Sequence, residues 1–117
     1  MRECAFVELA ALEEECGAPG WDGYGAEAIN AGAIAAARKF IEALPARTPT
    51  PQIGADPDGA VTMEWYKAKN RTVSISMGLD NVVHYAAVVG SMRRFGTEIL
   101  MDNVPANILD LIHETLA

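Results

Sequence analysis

Residues 60–77 read AVTMEWYKAKNRTVSISM, and apolar residues alternate with polar ones in both halves of this segment. Val61, Met63 and Trp65 fall on one side of the first half. Val73 and Ile75 continue the same pattern in the second half. A period of two residues is typical of a β-strand with one buried face. We therefore predict two strands that pack one face against a hydrophobic core.

The chain after this segment contains two more predicted strands. Residues 81–89, NVVHYAAVV, are apolar on both faces, which is typical of a central or doubly covered strand. Residues 93–101, RRFGTEILM, alternate again. Short turns rich in Asn, Asp and Gly separate the strands, and such connections favour an antiparallel meander. The sequence predicts four such strands, or five if residues 52–55, QIGA, form an edge.

Amphipathic segments on both sides of these strands predict three helices. The first is expected over residues 3–16, the second from an Asn30 cap to residue 44, and the third over 104–116 with Asn103 as its cap. A chain of 117 residues suits one domain. We predict a single α+β domain over residues 1–117, with two N-terminal helices, the sheet and a C-terminal helix. The apolar stripe of the first helix consists of Ala5, Leu9, Leu12 and Cys16.

The charge of the chain is concentrated near its N-terminus. The net charge is −7, and residues 1–30 account for −6 of it through seven acidic residues and one arginine. Such a surface repels nucleic acid and attracts basic surfaces. Direct binding to DNA or RNA is therefore not expected. The seven acidic residues are Glu3, Glu8, Glu13, Glu14, Glu15, Asp22 and Glu27.

The N-terminal segment does not have the pattern of a signal or transit peptide, because it is acidic after Arg2. No apolar run approaches the roughly 18 residues that a membrane span needs. We expect a cytoplasmic protein that has no membrane partner. Cys4 and Cys16 lie in one predicted helix, about 18 Å apart, which is too far for a disulfide bond. They are expected to be small buried or half-buried thiols, with an intermolecular bridge or a reactive thiol as the alternative.

The residue patterns predict no metal site and no cofactor. Asp56-Pro57-Asp58-Gly59 resembles the start of a calcium loop, but the twelfth position is Lys67 instead of glutamate. A β-turn is the favoured interpretation. His84 and His113 are isolated from the cysteines, so no zinc spacing is present. We expect His84 to be a buried structural residue and His113 to be exposed to solvent.

A nucleophilic site is weakly indicated. Ser74 and Ser76 lie on the predicted strand next to the one that contains His84. Neither serine lies in the sharp turn that presents a nucleophile in many hydrolases, and no phosphate or dinucleotide loop is present. Small polar residues on a solvated strand face explain both serines. We therefore expect a protein that is not an enzyme, with a small hydrolase as the third-ranked possibility.

Residues 17–30, GAPGWDGYGAEAIN, place two aromatic residues among four glycines between the first two helices. Trp21 and Tyr24 suit either a binding surface or a loop that is anchored by its aromatic rings. We favour the anchored loop, with Asp22 free to cap a turn or to extend the acidic surface.

Four segments together resemble a group of small bacterial proteins: GWDGYGA (20–26), FIEALP (40–45), PDG (57–59) and MEWY (63–66). The resemblance covers about residues 20–112. It implies a shared fold and no catalytic residues. The glutamate-rich first helix lies outside the shared part, which makes it a candidate for a specialised role in this chain.

The favoured function is that of an acidic binding protein whose N-terminal face docks onto a basic surface of another protein. At the level of class, it resembles the inhibitors of phages and mobile elements that mimic DNA, including anti-CRISPR proteins. The alternative is an antitoxin or immunity-type protein that neutralises a neighbouring gene product through its sheet or its aromatic residues. A monomer or a weak homodimer is expected, because an uncovered strand can pair with a second copy. The candidate partner-binding residues are Glu8, Glu13, Glu14, Glu15, Asp22, Glu27, Trp21 and Tyr24.

Overall fold

The computed structural model describes residues 2–21, 23, 25–45, 47–78, 81–100 and 104–116. Within these residues the chain has an α+β fold with three helices and a five-stranded antiparallel sheet, as predicted. The strands follow one another across the sheet in chain order, so the sheet is a meander. The bounds are α1 Arg2–Glu15, α2 Ala31–Ala43, β1 Gln52–Ala55, β2 Val61–Ala68, β3 Arg71–Met77, β4 Val82–Val89, β5 Met92–Ile99 and α3 Ala106–Leu116.

The alternating segment at residues 60–77 forms the centre of the fold. Its two halves are β2 and β3, which pair with Met63 opposite Ile75 and Trp65 opposite Val73. These four side chains are buried on one face of the sheet, the inner face. The indole Nε1 of Trp65 donates a hydrogen bond to the carbonyl oxygen of Pro49 at 2.8 Å. That bond allows the polar edge of a large aromatic ring to be buried at little cost.

Helices α2 and α3 lie against this inner face, whereas α1 lies at the edge of the sheet. Helix α3 packs on β2, β3 and β4, α2 packs on β2 and β3, and α1 packs on α2 and β1. The predicted cap of α2 is confirmed, because Oδ1 of Asn30 accepts hydrogen bonds from the backbone N–H groups of Gly32 and Ala33. The predicted cap of α3, Asn103, lies outside the described residues. None of the helices described is long and apolar enough to cross a membrane.

The opposite face of the sheet, the outer face, is not covered by any helix in the described part of the chain. The sequence predicts a central or doubly covered strand over residues 81–89, and the first alternative is confirmed because β4 lies between β3 and β5. Strand β4 is not doubly covered, since only its Val83 and Ala87 are buried. His84 and Ala86 project from the outer face and are exposed, so the expectation of a buried His84 is wrong as well. The apolar side chains of β4 on this face point toward solvent.

Candidate functional site

The acidic helix α1 is held against the domain by one stripe and exposes its carboxylates elsewhere. Of the predicted stripe, Ala5, Leu9 and Cys16 are buried and Leu12 is half-buried against the core. At 100° per residue, Glu8 and Glu15 lie on one side of this stripe, Glu13 lies on the other, and Glu14 points directly away. Among the residues of this helix whose side chains are described, the exposed carboxylates are those of Glu8, Glu13, Glu14 and Glu15. They lie on three sides of the helix, and we call this surface the acidic face.

A groove extends the acidic face onto the sheet. Glu8 and Glu15 line a depression of about 490 Å³ between α1 and the edge strand β1, and Glu64 of β2 lines it from the other side. Glu64 projects from the outer face, opposite Gln52 of β1, and accepts a hydrogen bond of 3.2 Å from the hydroxyl of Ser74. Three carboxylates therefore converge on one groove.

Glu64 is not among the residues predicted from the sequence. It is 49 positions beyond Glu15, and the alternation of residues 60–66 indicates only that Glu64 lies on the solvent-facing side of a strand. Only the pairing of β1 with β2, and the packing of α1 on β1, bring Glu64 to the groove.

The loop between α1 and α2 is anchored at several points, which agrees with the favoured interpretation of this segment. Trp21 is half-buried against the core, and its Nε1 donates a hydrogen bond of 2.8 Å to the carbonyl oxygen of Glu27. The backbone N–H of Glu27 donates to the carbonyl oxygen of Pro57 at 2.7 Å. The side chain of Glu27 is exposed and belongs to the acidic surface. Asp22 and Tyr24 lie outside the described residues.

A second depression, of about 420 Å³, lies on the outer face and contains the polar residues of the hydrolase hypothesis. Ser76 lies opposite His84 in the ladder, so the predicted proximity is confirmed. Ser76, however, also lies near the carboxylate of Asp56 and favours its charged form. The Nδ1 atom of His84 lies 2.9 Å from Oγ1 of Thr97. A nucleophilic serine needs a hydrogen bond to its base, and among the described residues no such bond joins Ser76 to His84.

The surroundings of Asp56, which also lines this depression, alter its ionisation. Partial burial and the nearby carboxylate of Asp58 raise the pKa of Asp56 above its ordinary value, and the side chain of Ser76 opposes this shift. The segment from Asp56 to Gly59 is a turn, as predicted, in which the N–H of Gly59 donates to the carbonyl oxygen of Asp56 at 2.9 Å. The described residues contain no group of three or more His, Cys, Asp and Glu side chains that could hold a metal ion.

Both cysteines are free thiols in the structure. Cys16 is buried against the core, as expected, whereas Cys4 is exposed, so the expectation of a buried or half-buried thiol is wrong for Cys4. Burial, and secondarily the charge of Glu15, raises the pKa of the Cys16 thiol. A raised pKa lowers the thiolate fraction, which makes Cys16 a packing residue and a poor nucleophile.

Comparisons of this chain with protein-family models, with curated proteins and with solved structures find no match.

Proposed function

We propose that this protein is a non-enzymatic inhibitor that docks its acidic face onto the basic surface of a nucleic-acid-binding protein. The observation that supports this proposal is the exposure of Glu8, Glu13, Glu14 and Glu15 on one helix of a compact domain. The carboxylates would lie where the phosphates of a nucleic acid lie in the natural complex. This is the mode of action of DNA-mimic inhibitors.

The density of charge on α1 is suitable for such mimicry. From Glu8 to Glu15 the helix axis rises by about 10.5 Å, and four carboxylates lie around this segment. Three of them, on the consecutive residues Glu13, Glu14 and Glu15, are concentrated at the C-terminal end of the helix. Glu64 adds a further carboxylate in the groove between α1 and β1.

The backbone that carries these charges is rigid enough to present them in one arrangement. Ala5 and Leu9 have no exposed surface, so α1 is docked along its length. A side-chain array on a fixed helix loses little conformational entropy on binding, which favours affinity. None of the four carboxylates belongs to the core, so each can be replaced without removing buried contacts.

A competition experiment on immobilised DNA tests the proposal. DNA-cellulose is loaded with nucleic-acid-binding proteins from a bacterial lysate, and the purified protein is added as a competitor. We expect it to release a defined subset of the bound proteins. The variant Glu13→Gln/Glu14→Gln/Glu15→Gln should need at least about tenfold more protein for the same release, a difference of about 1.4 kcal/mol.

A control variant with the same change of net charge separates a local effect from a general one. Glu42→Gln/Asp110→Asn/Glu114→Gln removes three exposed carboxylates from α2 and α3. This control should release the bound proteins as the unmodified protein does. Equal release by the variant of α1, with its circular dichroism unchanged, would contradict the proposal, as would the absence of any release.

The salt dependence of binding gives a second test. Exposed charges are screened beyond a Debye length of about 8 Å at physiological ionic strength. Binding to a purified target from the release experiment should therefore weaken as salt is added, and the unmodified protein should show a steeper dependence than the variant of α1.

A second candidate function is supported by the uncovered outer face. Tyr66 is 60% exposed there, and Phe95 is 82% exposed. An antitoxin or immunity-type neutraliser could bind its target through these rings. In that case binding should resist salt, survive the glutamine substitutions in α1 and be lost in Tyr66→Ser. Trp21 is a weaker candidate for such a contact, because its ring is half-buried and its Nε1 is already bonded within the loop.

A further inference from the structure

Strand β5 is a long edge strand, and the described part of the chain places a neighbouring strand on only one side of it. It has eight residues and packs only against β4 among the described elements. The other edge strand, β1, has four residues and is accompanied by α1. Proteins usually shorten or cover such an edge, because its free N–H and C=O groups can pair with another strand. The edge of β5 therefore needs an explanation.

The turn before β5 determines which backbone groups are free. Gly90, with a φ of 64°, and Ser91 connect the paired residues Val89 and Met92. In a two-residue hairpin the pair that flanks the turn is hydrogen-bonded, and bonded pairs then alternate along the ladder. Every second residue of β5 therefore points its N–H and C=O toward the free edge. These residues are Arg93, Phe95, Thr97 and Ile99.

The same edge exposes large apolar side chains. Phe95 is 82% exposed and Ile99 is 66% exposed, both on the outer face. Met92, on the opposite face of the strand, is 47% exposed. Isolated apolar residues on a surface are ordinary, but three on one edge strand favour its use as a contact surface.

The charges of β5 are complementary to a second copy of the strand. Arg94 and Glu98 project from the inner face, four residues apart. The carboxylate of Glu98 is held by the side chain of Asn107, whose Nδ2 lies 2.8 Å from Oε1. When two such strands pair antiparallel about a two-fold axis at Gly96, each Arg94 lies directly opposite the Glu98 of the other copy. Directly opposite side chains share a face and interact.

Other symmetric registers lack this match. Side chains that lie opposite one another share a face of the sheet, and the residues of one face are an even number of positions apart along the strand. The two-fold axis between two copies must therefore pass through a residue and not between two residues. An axis at Arg94 or at Glu98 would place like charges together. An axis at Phe95 would place Arg94 opposite Gly96, and an axis at Thr97 would place Glu98 there. In both cases the charged side chain would have no side chain opposite it. Gly96 is thus the centre that pairs both charges.

Gly96 is also suited to the axis because Tyr85 covers it. A Cβ atom added at Gly96 would lie 2.5 Å from the hydroxyl oxygen of Tyr85, so the ring of this β4 residue occupies the space above the glycine. An aromatic residue across a glycine stabilises a strand at that point. In the symmetric pair, the two Gly96 residues face each other with a tyrosine on each side.

We propose that this chain forms a symmetric homodimer in which two β5 strands pair antiparallel about Gly96 and create a continuous ten-stranded sheet. The self-complementary positions of Arg94 and Glu98 select a second copy of the chain as the occupant of the edge. The free backbone groups supply about eight hydrogen bonds across the interface. The dimer leaves the acidic face of each copy free, so it is independent of the proposed inhibition.

Charge reversal tests this arrangement. The chain mass is 12.5 kDa, so sedimentation equilibrium should detect a species of about twice that mass. Arg94→Glu places two carboxylates opposite each other, and Glu98→Arg places two cations opposite each other. We expect each variant alone to dissociate at least about tenfold more readily. An equimolar mixture of the two should recover the dimer, because each copy then faces the opposite charges.

Arg93→Glu is the matched control. It changes the net charge as Arg94→Glu does, on the same strand, but it lies opposite Ile99 in the proposed register. Its dissociation constant should change much less than that of Arg94→Glu. The proposal is overturned by a monomer at about 100 μM, by a dimer that Arg94→Glu does not weaken, or by a mixture that stays monomeric. The glutamine variant of α1 should still dimerise, so failure of the inhibitor proposal remains distinguishable.

Discussion

The attachment of α1 to the domain can be tested by removing one buried side chain. Leu9 has no exposed surface and lies in the core cluster formed by the helices and the inner face of the sheet. Leu9→Ala removes three carbon atoms from this position. At about 0.8 kcal/mol for each buried methylene, the lost transfer free energy is roughly 2.4 kcal/mol.

The cavity left behind adds to this cost, because well-packed surroundings relax only in part. Measured substitutions of buried leucine by alanine span about 2.7–5 kcal/mol. We expect the free energy of unfolding to fall by about 3–4 kcal/mol. Since Leu9 holds the acidic face in place, the variant should also bind a target of that face more weakly at temperatures where the domain is still folded.

Urea unfolding, followed by circular dichroism, measures the change. Val7 provides the control, because it is on the same helix but is 70% exposed. Val7→Ala should change the free energy of unfolding by less than about 0.5 kcal/mol. A loss below about 1 kcal/mol for Leu9→Ala, or a loss equal to that of Val7→Ala, would refute the packing of α1 described above.

Three further predictions concern the cap, the edge strand and the outer face. Asn30→Ala should lower the free energy of unfolding by about 1 kcal/mol, whereas Asn30→Asp should keep most of it, as measured by urea unfolding. Gly96→Ala should lower the free energy of unfolding by about 1–3 kcal/mol, measured by thermal unfolding, because the new Cβ meets the Tyr85 ring. Gly78→Ala is the control and should lower it less, because a Cβ at Gly78 would meet nothing within 4 Å. The pKa of Asp56 is higher in the folded chain than in the unfolded chain. At pH values between these two pKa values, the folded chain therefore binds more protons at this residue. The contribution of Asp56 to the free energy of unfolding falls as the pH rises through this range. Asp56→Asn should therefore stabilise the protein at neutral pH and lose that advantage in acid; urea unfolding at several pH values tests the sign.

The alternation of residues 60–77 was sufficient to predict the central hairpin, because burial on one face imposes a period of two. Val61, Met63 and Trp65 are all buried as that pattern requires. The cap at Asn30 was equally local, since the hydrogen bonds to Gly32 and Ala33 involve neighbours in the chain.

The environment of β4 was not predictable in the same way. A run that is apolar on both faces has the same sequence whether two layers cover it or one layer does. The location of α2 and α3 on one side of the sheet depends on packing between distant segments, and so does the exposure of His84. The groove around Glu64 and the free edge of β5 depend on strand register and on the order of strands, which local patterns do not determine.

The backbone hydrogen bond from Ile29 to Cys16, at 2.8 Å, joins the two ends of the loop between α1 and α2. The loop is therefore of the omega type, with a closed stem and a tip that includes the exposed Gly23 and Gly25. Lengthening a loop whose ends are already joined costs only about 0.6 kcal/mol for each doubling of its length. A short peptide epitope inserted after Gly23 would leave the stem bond and both helices in place. The tip of this loop is thus a suitable position for an affinity handle or a fluorophore.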